Sequence, residues 1–304
     1  MSPPEPIAGH DVATEHDAAV AAPARCKNCG AALLGRFCAN CSQAADVRVP
    51  TTMELVHELM EGLIHSDSRL WRTLKYLWFK PGRLTQEFVA GRRVAYLPPF
   101  RLYLVLSVIF FLIASFSHMR GEFIHFDHSP GSAKNMDSCD NINIATFAQY
   151  PDFNQRVRHA CKEIVRDNGA NLTHVALATM SKAMFIFLPL IAFLHWLMYS
   201  RPRYRYAEHL LFFVHLHAFY FSAAIVMLVA TDAADSWPKL RGATDGLQTL
   251  LGWSAVLYTV IAVRRVFTKS WKGAFFKTLA LSLVYLVVFA LTVSGVVIYA
   301  LLQL

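Results

Sequence analysis

Charge is in short supply. Only 16% of the 304 residues are Asp, Glu, Lys or Arg, against about 25% in an ordinary soluble domain. Hydrophobic residues make up 55%, and they gather into long blocks, which points to a polytopic membrane protein and excludes a disordered or collagen-like chain. Catalytic signatures are missing as well: no G-x-x-x-x-G-K-[ST], G-x-S-x-G or H-E-x-x-H occurs, and no pair of acids falls within one apolar block. The sequence therefore names no reaction and favours a non-enzyme. A secretory signal is absent too, since nothing before Leu102 supplies about 7–15 consecutive apolar residues. The N-terminus is expected in the cytoplasm, with residues 1–24 as a disordered tail too polar to offset the entropy of ordering.

Four of the six cysteines, Cys26, Cys29, Cys38 and Cys41, spell C-x2-C-x8-C-x2-C. Each Cys-x-x-Cys knuckle lets two thiolates converge on one ion, and four thiolates close a tetrahedral shell with no place left for water. The spacing predicts a structural zinc ribbon over residues 25–45; two disulfides, a redox pair or iron in place of zinc are the alternatives. Gly30 follows the first knuckle, whereas Ser42 takes the corresponding place after the second. About 20 residues cannot fold on a hydrophobic core, so the metal would supply the folding energy.

Residues 51–101 read as a basic amphipathic helical segment. Met53, Val56, Leu59, Met60, Leu63 and Ile64 recur at helical spacing. Further on, aromatics lie among bases, and Arg72, Lys75, Trp78, Lys80, Arg92 and Arg93 are the candidate contacts with a membrane surface or a partner. The competing reading is a soluble helical hairpin packed on the ribbon. Pro81-Gly82 should break the first helix there, Leu84 to Arg93 can form another, and Pro98-Pro99 should force an extended entry to the first span.

The fold class expected is an all-α membrane protein with about five transmembrane helices, near residues 102–118, 179–199, 210–230, 247–263 and 279–302. Placing the N-terminal region, 200–209 and 264–278 inside puts 20 of the 29 Lys and Arg there, against 8 in the outside segments 119–174 and 231–246. That asymmetry orients the N-terminus to the cytoplasm and the C-terminus to the far side. It also accounts for the net charge of +8 without nucleic acid, which is disfavoured as a partner. The outer loop, 119–174, holds Cys139 and Cys161, a candidate disulfide in an oxidising compartment, and a short helix can form within Asn141 to Asn168.

Ionisable groups at bilayer depth are functional candidates by default. Here they are His195 in the second span, His215 and His217 in the third, and Glu208 and His209 at its mouth. On a regular helix, at about 100° per residue, His215 and His217 point to nearly opposite sides, so one ion held by both is excluded. A metal or haem site would need His195 or another span. Satisfied interhelical hydrogen bonds are the plainer reading, and Pro189 should kink the second span.

The motifs together resemble the DUF3667 family of bacterial membrane proteins. The resemblance lies in Cys26 to Gly30 with Phe37 to Gln43, in Asp67 to Leu74 followed by Lys80-Pro81-Gly82-Arg83, in Gly91 to Arg101, and in Tyr206 to Phe212 followed by His215-Leu216-His217. The last two spans match only in hydropathy. The resemblance implies a multi-pass protein of the bacterial inner membrane with a periplasmic C-terminus and no established activity. It also implies roles for Pro81, Gly82, Arg92, Arg93, Glu208 and His209. The leading expectation is a scaffold that docks a cytosolic protein or anionic lipids through the ribbon and the basic segment. A small-solute or proton-coupled transporter using the His/Glu set, and a membrane redox or haem protein, are the alternatives.

Overall fold

The computed structural model describes residues 24–45, 69–116, 139, 151–167, 169–198, 204–268 and 270–303. The tail 1–23, the amphipathic stretch from Met53 to Ile64 and most of the outer loop lie outside them. The chain divides into two units, Met1–Val47 and Arg48–Leu304.

In the second unit the described elements are α1 (Arg69–Phe79), α2 (Arg83–Val89), α3 (Pro99–Phe116), α4 (Pro151–Asp167), α5 (Ala170–Leu197), α6 (Tyr206–Ser236), α7 (Arg241–Phe267) and α8 (Trp271–Gln303). Five of them, α3 and α5 to α8, are long and apolar enough to cross a membrane, the fourth with a short 3-10 turn, Pro238–Leu240, leading into it. The protein is a multi-pass helical membrane protein. Hydropathy marks only the part of each helix that lipid would cover, and α5, α6, α7 and α8 run well beyond it. α5 begins at Ala170 rather than near 179, because Asn171, Thr173 and His174 continue the helix above the apolar run; Thr173 is buried and bonds back to Gly169 O at 2.9 Å. α3 begins at Pro99: proline is tolerated in the first turn, where its missing N–H would be unpaired anyway.

α6 forms the centre. Every residue from His209 to Phe219 is buried, including three histidines that would be costly facing lipid. α3, α5 and α7 pack around it, and α8 lies against α5 and α7. The outer helices leave large apolar side chains such as Leu250, Trp253, Leu283 and Leu291 more than 60% exposed, the pattern of a lipid-facing surface. A disulfide joins Cys139 to Cys161 in α4.

Candidate functional sites

The ribbon is built twice over. Cys26 N–H donates to Ala31 O (2.8 Å), Gly30 N–H to Cys26 O (2.9 Å) and Leu33 N–H to Ala24 O (2.7 Å). Twelve residues on, Cys38 repeats the first bond to Gln43 O, Ser42 the second to Cys38 O, and Ala45 the third to Arg36 O, at 2.8, 2.8 and 2.9 Å. Each knuckle is closed by one antiparallel bridge, Arg25 to Ala32 and Phe37 to Ala44. The repeat extends to the backbone: Gly30 has φ +79° and Ser42 has φ +59°, so serine occupies a left-handed turn that costs an L-residue about 1–2 kcal/mol.

The four sulfurs lie within 4.8 Å of one another; Cys26 to Cys41 is 3.6 Å and Cys29 to Cys38 is 3.5 Å. Four sulfurs about 2.3 Å from a central ion sit about 3.8 Å apart in a tetrahedron, so the donor set fits one thiophilic ion. The electrostatics agree. The Ala31 backbone N–H is the largest influence holding the Cys29 thiol down to about 6. At Cys41 the Gln43 backbone pulls the same way, but burial and the sulfurs of Cys26 and Cys29 outweigh it and push the thiol up to about 11. Backbone amides alone do not hold the Cys41 thiol ionised; a cation among the four sulfurs would supply the missing charge.

The basic segment packs on the bundle. α1 buries Thr73 and Leu77 and leaves Trp71, Arg72, Lys75 and Phe79 exposed along the opposite face. Trp78 is half-buried, its ring edge-on to Phe219 of α6 at 5.5 Å, and Lys80 lies over the Tyr76 ring at 4.5 Å. Thr73 hydroxyl donates to Arg69 O (2.7 Å) and accepts from Leu97 N–H (3.0 Å), which ties the double-proline loop to α1. At Pro81-Gly82 the chain turns with φ +71° at Gly82, and a Cβ there would come within 3.0 Å of Ala262 Cα and O in α7. Arg265 donates to Pro81 O and Gln86 donates to Arg265 O, both at 2.6 Å.

α2 stops at Val89, short of Arg93, because Ala90 caps it and Gly91 takes φ +83°. That turn brings Arg92 back onto Glu87, a buried carboxylate that Arg83 also reaches at 2.8 Å. The Arg92 guanidinium holds the Glu87 carboxyl below the usual carboxylate range. Arg93 donates to Phe88 O at 3.3 Å. Thr73, Thr85 and Glu87 were not singled out by the sequence; for Glu87 the i,i+4 spacing from Arg83 was a readable signal, for the threonines there was none.

Of the buried histidines, His195 and His209 meet. Their Nδ1 atoms lie 2.9 Å apart, so one imidazole donates and the other accepts. Phe267 stacks on His209 at 4.8 Å, and Phe212 and Phe213 flank His195. His215 turns to Thr85 of α2, Nδ1 to Oγ1 3.1 Å. His217 donates from Nδ1 to Phe213 O (2.8 Å), which leaves Nε2 to accept from Tyr285 hydroxyl of α8 at 3.4 Å. Glu208 stands half-buried in the first turn of α6.

Residues 67–111 match the family model of DUF3667, a protein of unknown function. This is the family that the sequence motifs resemble, and the match covers α1, α2, the double-proline loop and most of α3. No curated protein and no solved structure matches the chain.

Proposed function

We propose that this chain, whose residues 67–111 carry the DUF3667 signature, is a non-enzymatic scaffold of the bacterial inner membrane. Its N-terminus and zinc ribbon lie in the cytoplasm and its C-terminus in the periplasm. The observation that carries the reading is the division of α1 into two faces. Thr73 and Leu77 fix it to the bundle, while Trp71, Arg72, Lys75 and Phe79 point away together. Cations and aromatics on one face suit an anionic headgroup layer, where rings sit half wet and guanidinium or ammonium groups meet phosphate. The ribbon supplies the second docking element: its Leu34 and Phe37 side chains are 88% and 66% exposed, an apolar surface on a metal-held module that fits a cytosolic protein.

A photo-reactive residue in place of Phe79 in the full-length protein in cells tests the α1 reading. It should trap anionic phospholipid, and Arg72→Glu with Lys75→Glu should reduce the adduct several-fold. Adducts only with neutral lipid, or none, would reject it. The same residue in place of Phe37 should trap one discrete cytosolic protein.

The contact between His195 and His209 supports a second reading, proton-coupled transport. It calls for pH-driven flux in proteoliposomes that His209→Phe abolishes without unfolding the protein.

A further inference from the structure

Between α6, α7 and α8 lies a cavity of about 340 Å³, whose lining includes Phe213, Tyr220, Ala255, Val256, Tyr285 and Leu286. Val256 and Leu286 are 57% and 63% exposed, so the cavity opens sideways onto the lipid-facing surface. Its volume is at the small end of the 300–1,000 Å³ typical of ligand sites. Two of its polar groups satisfy each other, Tyr220 hydroxyl and Thr259 Oγ1 at 2.7 Å. One polar group does not: Thr278, a lining residue 7% exposed, has no hydrogen-bond partner for Oγ1 among the described residues. A helical threonine ordinarily bonds back to the carbonyl one turn earlier, as Thr259 and Thr292 do here. A buried hydroxyl without a partner costs about 1–3 kcal/mol, which a bound acceptor would recover.

Depth identifies the acceptor. α8 has 33 residues, about 50 Å at 1.5 Å per residue, against a hydrocarbon core about 30 Å thick. Its apolar run begins at Leu279, beyond Lys272 and Lys277, so the extra length lies mostly at the Trp271 end. Thr278, the seventh residue after Trp271, therefore falls at the boundary where lipid ester carbonyls lie. The cavity continues inward from it along Leu281, Ser282 and Tyr285. Seven residues also return to nearly the same side of the helix, so Trp271 stands above Thr278. The Arg264 guanidinium lies over the Trp271 ring, 4.0 Å from its centroid, and Arg264 Nε is buried without a hydrogen-bond partner among the described residues.

We infer that this cavity holds one acyl chain of an anionic phospholipid. The Thr278 hydroxyl donates to the ester carbonyl, and Arg264 meets the headgroup phosphate. This site is separate from the α1 face: it lies within the spans and does not depend on the ribbon or on Arg72 and Lys75.

Phosphatidylglycerol carrying a diazirine in one acyl chain, incorporated into proteoliposomes with the full-length protein, tests it by mapping the photolabel. Label should concentrate on Ala255, Val256, Thr259, Leu281, Tyr285 and Leu286. Thr278→Val, which keeps the volume and removes the hydroxyl, should cut that label about fivefold, the equivalent of one hydrogen bond. Ala255→Phe, which fills the cavity, should abolish it. If Ala255→Phe does not fold, Thr278→Val alone decides. Label spread evenly onto the outward Leu279 and Leu283, or unchanged in Thr278→Val, would overturn the proposal. So would stronger labelling by a diazirine fatty acid than by the phospholipid, which would give the cavity to a free acid. Failure of the α1 cross-link leaves this map unchanged, so the two readings fail separately.

Discussion

Gly82→Ala is the sharpest probe of how the signature segment is attached. Two penalties combine at this position. The left-handed φ of +71° costs an alanine about 1–2 kcal/mol. The new methyl would also stand 3.0 Å from both Cα and O of Ala262 and 3.2 Å from Val266 Cγ2. The first two are backbone atoms of a packed helix and cannot rotate away, so overpacking adds about 1–3 kcal/mol. The sum, less a few tenths for the stiffer unfolded chain, is about 2–4 kcal/mol. For a chain of this length that lowers the melting temperature by roughly 5–10 °C. Gly252 provides the control within α7, because a Cβ there meets nothing within 4 Å; Gly252→Ala should stabilise by about 1 kcal/mol through helix propensity. Thermal unfolding of detergent-purified protein, followed by tryptophan fluorescence, should move in opposite directions for the two substitutions. If Gly82→Ala melted within a degree of Gly252→Ala, the Pro81-Gly82 turn would not be seated on α7.

Glu87→Gln should destabilise by about 2 kcal/mol, the worth of charge-assisted hydrogen bonds. Because Arg92 and Arg83 hold the folded carboxyl below its ordinary value of 4.5, the contribution is fully present above that pH and is lost as pH falls through the lower folded value. Acid melts of the wild type should show this loss, and those of Glu87→Gln a shallower one. In the ribbon, Ser42→Gly removes left-handed strain from an exposed side chain at some entropic cost; a net gain of about 0.5–1 kcal/mol should tighten metal binding roughly two- to fivefold in a chelator competition. Elemental analysis should find about one zinc per chain, and Cys38→Ser should lose it. Binding should release protons, because Cys41, pushed up to about 11, must ionise to serve as a ligand; proton uptake or no change on metal addition would refute the thiolate site.

The helical architecture was legible because a bilayer imposes one length on every span, and runs such as residues 210–230 carry that length openly. The helix ends were not, since α6 continues to Ser236 and α5 starts at Ala170 in residues that hydropathy scores as ordinary. The ribbon's ligand set was legible for a different reason: four thiols at C-x2-C spacing leave few geometries. The histidines were harder. That His215 and His217 diverge follows from helical arithmetic, and they reach Thr85 and Tyr285 respectively. That His195 finds His209 does not follow, because it depends on the lateral offset of α5 against α6. The cavity was invisible for the same reason, being a space among three helices rather than a property of any one.

The matched segment, 67–111, is rich in this kind of contact. Its polar and small residues are spent on joining pieces of the membrane unit: Thr73 on the Leu97 amide, Thr85 on His215, Gly82 on Ala262, Gln86 on the Arg265 carbonyl. On α7 they meet the Ala262 backbone, the Val266 side chain and the Arg265 carbonyl, and the Arg265 guanidinium returns to Pro81 O. A small residue at 262 and an accessible carbonyl at 265 are what the turn at Gly82 and the Gln86 side chain require of the fourth span. The matched segment thus sets how α1 and α2 sit on the bundle, while the cavity walls contributed by α7 and α8 lie outside it.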